Sequence, residues 1–297
     1  MDLSNACTND CVYCGFRRSS SYERSQLTVA EAVEQADVLS TRGIRDIDLV
    51  TGEIPTDRFV DYVCESTAAI LARTAITRIH LNLGSLAAEQ YARLRDAGAA
   101  GYHLYQETYD PAAYFGAHRD GGKREMAARL EAPSRAAEAG FPYLGLGVLL
   151  GLADPLTDLA SLAAHAALLM KYHPELEVGF SLPRIRSTQA APEYRPTHPV
   201  SDDDFVRAVL FLRTEYPSAN VTVTTREPPH IRDLLIHHGA TRISAGVSTA
   251  PGGYGSGAID RGDPASGARE QFEVADQRSV AEIAAVVAEA GLPLSES

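Results

Sequence analysis

Cys7-Thr8-Asn9-Asp10-Cys11-Val12-Tyr13-Cys14 sets three cysteines in eight residues with the spacing C-x3-C-x2-C, and Gly15-Phe16-Arg17-Arg18 follows at once. Three thiolates so spaced hold three irons of a [4Fe–4S] cube and leave the fourth iron open to a small molecule, unlike a closed four-cysteine site. A structural zinc site wants a fourth ligand, usually from a second, separated pair of cysteines or histidines. The remaining cysteine, Cys64, instead lies in an apolar helical stretch with Phe59, Val60, Val63, Ala68, Ile70 and Leu71. A disulfide framework does not suit a chain of 297 residues with four cysteines and no secretory signal pattern.

Composition narrows the class. A chain that is 45% hydrophobic and 22% charged, with 23 Gly and 16 Pro, has a globular balance and the length for one large core such as an α/β barrel. The formal net charge of −12 argues against a nucleic-acid partner or an anionic membrane surface, since phosphate binding needs clustered Lys and Arg. The longest apolar run, Tyr143 to Leu152, is strand-sized and too short to span a membrane. A reducing cytoplasm is the expected compartment, because an oxygen-sensitive cluster persists there.

Outward from the cysteines, strand-like and helix-like segments alternate. Thr28-Val-Ala-Glu31 reads as a capping box whose helix carries Val29, Val33, Ala36 and Leu39 at helical spacing until Gly43. Short strands are expected at 2–5, 45–51, 77–83, 101–107, 143–150, 177–183, 221–226 and 241–246. Helices are expected at 28–42, 57–74, 86–97, 124–139, 157–172, 201–215, 229–238 and 279–290. Eight such alternations predict a single-domain (β/α)8 barrel over residues 1–297, with 252–297 a loop and helix covering it. The Gly-, Pro- and polar-rich stretch 252–268 would lie over the top face as a lid, whereas 192–199 reads as a plain loop.

In such a barrel the functional groups sit at the carboxyl ends of the strands, and alternate residues point into the lumen. With Ile79, Leu81 and Leu83 facing the helices, His80 and Asn82 point inward. Val221 and Val223 outward place Thr222, Thr224 and Arg226 inside, and Ile243 outward places Arg242 and Ser244 inside. Arg226 and Ser244 are therefore expected to meet at the top of neighbouring strands. A buried arginine needs an anion; the ordinary candidate is Glu227, the functional one a ligand.

Further motifs complete the picture. They include Leu49-Val-Thr-Gly-Glu53, Tyr105-Gln-Glu-Thr-Tyr109 with Tyr114, His118 and Gly122-Lys123 behind it, Arg129-Leu130, and Gly145-Leu-Gly-Val-Leu-Leu-Gly-Leu152. Ser181-Leu-Pro-Arg184, Thr224-Thr-Arg-Glu-Pro228, Ser244-Ala-Gly-Val-Ser-Thr249, Pro251-Gly-Gly-Tyr254 and Gln271-Phe-Glu-Val follow. With the cysteine triplet, this ordered set resembles the radical S-adenosylmethionine (SAM) superfamily, and within it the ThiH/HydG/NosL-like aromatic amino acid lyases, over almost the whole chain. The resemblance implies that Cys7, Cys11 and Cys14 ligate a [4Fe–4S] cluster and that Tyr13 lies against the SAM adenine. It implies that Glu53 receives the SAM amino group, that Glu107 and Arg129 hold the ribose and carboxylate, and that Arg226 clamps the substrate carboxylate beside Ser244 at the amine. The implied partners are a small amino acid and an electron donor of the flavodoxin or ferredoxin type.

The implied reaction is a lyase reaction, cleaving tyrosine to 2-iminoacetate (dehydroglycine) and p-cresol. Asn82-Leu-Gly-Ser85 is more like the tryptophan lyase that makes 3-methyl-2-indolic acid, so tryptophan stays open. His80, His103, Tyr105 and Tyr254 are candidates for the side-chain pocket, and a non-catalytic cluster carrier is the alternative from another class. Departures from the family pattern are clear. The position five before the first cysteine, usually aromatic, is Asp2, which implies either a shortened amino end or a different barrel bottom and pocket wall. No cysteine follows Cys64, which disfavours the hydrogenase-maturation version, and the Trp-containing tail of the thiamine-pathway lyase is absent from Leu292-Pro-Leu-Ser-Glu-Ser297.

Overall fold

Eight strands alternate with helices and pair in sequence order into one parallel sheet. The computed structural model describes residues 1–254 and 270–294. The first half comprises β1 (Asp2–Ser4), α1 (Val29–Thr41), β2 (Asp46–Thr51), α2 (Asp57–Arg73), β3 (Arg78–Asn82), α3 (Ala88–Asp96) and β4 (Gly101–Glu107). After a short α4 (Pro111–Ala117) and a 3₁₀ turn (Gly122–Arg124) come α5 (Met126–Glu138), β5 (Tyr143–Val148), α6 (Pro155–Tyr172) and β6 (Glu177–Ser181). The chain continues with α7 (Asp202–Glu215), β7 (Asn220–Val223), α8 (Pro229–His238), β8 (Arg242–Ile243) and α9 (Val280–Glu289). This is the expected (β/α)8 architecture, and each expected element is present with its ends shifted by three residues or fewer. The helix starts follow the predicted chemistry. Thr28 makes the capping box with Glu31, and Gly43 leaves α1 with φ +87°.

The curled sheet is open. β1 and β8 are its two ends and are not paired with each other among the described residues. The outer edge of β1 is covered instead by the returning segment 25–27, with Asn5 N donating to Ser25 O (3.2 Å) and Leu27 N to Leu3 O (2.9 Å). A covered edge satisfies backbone groups that would otherwise be left open. Outward-facing Leu49, Ile79, Leu81, Leu104, Leu146, Phe180, Val221 and Val223 pack against helix residues such as Val63, Leu94, Leu162 and Leu235 in one core.

Inside the curl, large rings lie on glycines of the next strand. His80 sits on Gly101, His103 on Gly145, Tyr105 on Gly147 and Tyr143 on Gly179, and a Cβ at any of these glycines would collide with the ring. This accounts for the Gly-x-Gly of β5, since both glycines face inward where rings of β4 need the room. Small-against-large alternation is how a narrow barrel interior is filled.

Residues 270–278 cross the carboxyl ends of the last strands. Gln271 N donates to Thr249 O (3.2 Å), and Ala275 N and Asp276 N both donate to Thr225 O (2.9 and 3.1 Å). Asp276 is fully buried between Arg232 and Arg278. α9 then packs on α8 through Ile283 and Val287 against Ile236. Most of the expected covering loop 252–268 falls at 255–269, outside the described residues. Among the described residues, no helix is long and apolar enough to cross a membrane.

The glycine seats are testable. Gly145→Ala is expected to destabilise by about 1–3 kcal/mol, as overpacking a filled interior does. A urea midpoint lowered relative to the parent checks it, and an unchanged midpoint would mean that the His103 ring has room to move aside.

Candidate active site

The three cysteines stand on the loop that leaves the carboxyl end of β1, and none of them is in a disulfide. One arginine shapes this loop. The Arg24 guanidinium donates to the carbonyls of Asn5 (2.7 Å), Phe16 (3.0 Å), Arg17 (2.6 Å), Arg18 (3.3 Å) and Ser20 (3.3 Å). From below, Gly52 lets the loop after β2 approach, because a Cβ there would collide with Ala6 O and come within 2.7 Å of Cys7 Cβ. The sulfur of Cys7 accepts from the backbone N–H of Asn9 (3.4 Å) and of Glu53 (3.3 Å).

Cys7, Cys11 and Cys14 line one cavity of about 110 Å³ together with Tyr13, Glu53, Asn82, Tyr105, Glu107, Lys123, Arg129, Arg226 and Gln271. Burial pushes all three thiols up, Cys14 to about 11. Metal binding displaces such protons, and a set of three soft thiolates with backbone N–H groups on one sulfur fits an iron–sulfur cluster bound at three corners. The residues present fit the group.

Beside the thiols lies a quartet of alternating charge. Arg129 Nη1 is 2.8 Å from Glu53 Oε1 and its Nη2 3.6 Å from Glu107 Oε1, while Lys123 Nζ is 2.7 Å from Glu107 Oε1 and 3.6 Å from Glu53 Oε1. Asn9 joins the quartet to the cysteine loop, its Nδ2 donating to Glu53 Oε2 (2.9 Å) and its Oδ1 accepting from Lys123 N (2.9 Å). Arg129 Nε donates to Tyr105 O (2.8 Å). Burial pushes both carboxyls up, but Arg129 and Lys123 outweigh it and hold Glu53 and Glu107 below the usual carboxylate range. Glu107 has φ +73°, a left-handed conformation that costs a non-glycine residue about 1–2 kcal/mol. Such strain at a strand end marks a side chain held where the local backbone would not place it.

Tyr13 donates or accepts at 2.9 Å with His118 Nε2, and Lys123 Nζ stands 5.8 Å from its ring centre. Burial, followed by Lys123 and Arg129, pushes His118 far down, so its ring is neutral.

Arg226 enters the same cavity, as expected, from the turn that follows the last residue of β7, Val223. Its guanidinium lies over the Phe272 ring at 3.4 Å, and burial pushes it down to about 10. Glu227, the ordinary partner expected from sequence, is turned the other way, onto Arg184 and Arg186. Among the described residues, Arg226 forms no ion pair with a carboxylate. Ser244 is the residue expected beside Arg226. Because β8 ends at Ile243, Ser244 stands beyond the strand and does not line this cavity; its carbonyl accepts from Arg232 and its Oγ is buried without a partner.

Several groups of the site had no role in the sequence reading. Lys123 was visible within Gly122-Lys123, and the Gly121-Gly122 pair before it was the available signal of a tight turn delivering a side chain. Asn9 lay unremarked between two cysteines. Phe272 and Gln271 come from a segment remote in sequence, and nothing local places them here.

Residues 1–163 match the Radical SAM superfamily model, and residues 181–293 match the Biotin and Thiamin Synthesis associated domain. The chain belongs to the radical SAM superfamily. It is 32% identical over 291 residues to 2-iminoacetate synthase of Escherichia coli (strain K12), covering 98% of this chain and 74% of that protein. The FeFe-hydrogenase maturase HydG from Carboxydothermus hydrogenoformans superposes with a TM-score of 0.89 at 37% identity, over 98% of this chain and 65% of HydG. The chain thus spans just under two thirds of HydG. Methylornithine synthase (PylB) shares the fold, with a TM-score of 0.73 at 19% identity. As a radical SAM enzyme, the chain works with a [4Fe–4S] cluster and SAM.

The quartet sets a pH dependence. A carboxyl held below its unfolded value of about 4.3 contributes stability that is present above that pH and lost as pH falls through the folded value. Lys123→Met removes a cation that holds Glu107 down, so the folded value rises. Its acid-side loss of stability is expected to begin at higher pH than in the parent, as urea unfolding between pH 3 and 7 would record. Coincident acid limbs would mean that Arg129 alone holds both carboxylates.

Proposed function

We propose that this radical SAM enzyme is a carbon–carbon lyase acting on an aromatic L-amino acid, and that it cleaves tyrosine to 2-iminoacetate and p-cresol. The observation that carries this reading is Arg226, a guanidinium without an acid partner among the described residues, in the cavity that the three cysteines line. A planar fork of that kind matches a carboxylate with two parallel hydrogen bonds and fixes its orientation. The relatives named 2-iminoacetate synthase support the choice of reaction.

In this reading Cys7, Cys11 and Cys14 hold the cluster and Tyr13 lies against the adenine. Glu53 receives the SAM amino group, with Glu107 and Arg129 at the ribose and carboxylate, and Lys123 keeps the two acids ionised. When bound, cluster and SAM supply a 5′-deoxyadenosyl radical, the chemistry belonging to the cofactors. Arg226 holds the amino acid by its carboxylate so that its amino hydrogen is the one presented, and orientation of this kind decides which bond is lost. Ser244, just beyond β8, is assigned to the substrate amine. Asn82 and Tyr105 line the cavity and are the nearest candidates for the aromatic side chain. A donor of flavodoxin or ferredoxin type would supply electrons.

The test is anaerobic, with reconstituted enzyme, SAM, dithionite and either tyrosine, tryptophan or neither. Tyrosine-dependent 5′-deoxyadenosine with p-cresol and glyoxylate is expected. An indole acid from tryptophan would move the assignment to that substrate, and a loaded cluster without SAM cleavage would favour a carrier. In Arg226→Ala the KM for tyrosine should rise about 10- to 100-fold, the range for losing charged hydrogen bonds; an unchanged KM would refute the clamp.

A further inference from the structure

We propose that Asp48, His80 and His103 form a second metal site, for one first-row divalent ion such as zinc, inside the barrel. The three residues come from consecutive strands, with Asp48 of β2 in register with His80 of β3, and His103 on β4 two positions beyond Gly101, the register partner of His80. One donor atom from each lies within 4.8 Å of the others. His103 Nε2 is 3.4 Å from Asp48 Oδ1. That separation is close to the roughly 3.3 Å edge of a tetrahedron with metal–ligand bonds of about 2.0–2.1 Å.

Two further observations point to a ligand. Asp48 Oδ1, both ring nitrogens of His80 and His103 Nε2 are buried without any hydrogen-bond partner, although buried polar groups in native proteins nearly always have one. The rings are also held in place, since His80 lies on Gly101 and His103 on Gly145, so their donor atoms are positioned before any ion arrives. Arg242, the cation of this layer, is already taken by Asp46 at 2.8 Å. Two imidazoles and one carboxylate suit zinc or ferrous iron rather than calcium or magnesium, and they leave a coordination position open. A route exists as well. A cavity of about 760 Å³ at the amino ends of the strands reaches His80, and Asp46, Tyr143 and Arg242 share its wall. None of these ligands belongs to the cysteine loop, so the inference stands apart from the proposed reaction.

The experiment uses anaerobically reconstituted holoenzyme incubated with one equivalent of Zn²⁺, desalted, and assayed for zinc and iron by mass spectrometry and for zinc coordination by X-ray absorption. About one zinc per chain is expected in addition to the cluster iron, with a nitrogen and oxygen shell at about 2.0–2.1 Å and no sulfur. Asp48→Asn and His103→Asn should each weaken zinc binding at least roughly 100-fold, beyond the range for losing an outer-shell partner, while keeping full iron content. Failure of the parent to retain zinc, a sulfur-containing shell, or undiminished binding by both variants would overturn the site. Should a variant fail to load its cluster, the coordination shell of the parent decides alone.

Discussion

Charge neutrality in a small buried volume governs the upper half of this barrel. Glu53 and Glu107 bring two negative charges, Lys123 and Arg129 two positive ones, and none has bulk water to fall back on. Removing one member of such a set leaves an uncompensated buried charge, at a cost of about 3–5 kcal/mol. The four residues arrive from the loop after β2, the end of β4, the 3₁₀ turn and α5, so satisfying the charges fixes those elements relative to one another. Asn9 extends the constraint to the cysteine loop. It also explains Gly121, whose φ of +94° and missing Cβ allow the turn to close on Asn9 and deliver Lys123. The placement of the cysteines thus depends on residues far away in the chain.

A second constraint is volume. Rings of β3 lean on β4, rings of β4 on β5, and the ring of β5 on β6, always toward the next strand. Strand tilt and stagger in a barrel impose this common direction, because inward residues of one strand stand level with the gap beside the next. The glycines are therefore determined by the rings. A lumen filled in this way separates a small cavity under the cysteines from a larger one at the opposite face.

Most of this could be read from the sequence, for reasons that can be named. Period-two runs bounded by glycine, together with the Thr28 cap, are local signals, and they give the strand and helix order. Parity within β3 places His80 and Asn82 inside because one strand's alternation needs no knowledge of its neighbours. Arg226 and Ser244 both lie beyond the last residues of their strands, Val223 and Ile243, where alternation no longer fixes a side chain. α4 escaped notice for a related reason. Seven residues are too few for helical periodicity, although Asp110-Pro111 is a good start signal, with the Asp110 side chain accepting from Ala113 N. Lys123, Asn9 and Phe272 were beyond local reading because their meaning is in long-range contacts.

The region after β6 and β7 shows how one acid can be withheld from its neighbour. Arg184, Arg186 and Arg226 compete for Glu227, which follows Arg226 directly in sequence. The two side chains leave the turn that follows β7, where Glu227 N donates to Thr224 O (3.2 Å), toward different partners. Glu227 is buried and pairs with Arg184 and Arg186 instead. Arg226 is left with the face of Phe272, a contact worth about 0.5–2 kcal/mol, well short of what a desolvated guanidinium gains from a paired carboxylate. The difference is free energy that the folded chain does not recover by itself. An anion entering the cavity recovers it, and the carboxylate of the proposed amino acid substrate is such an anion.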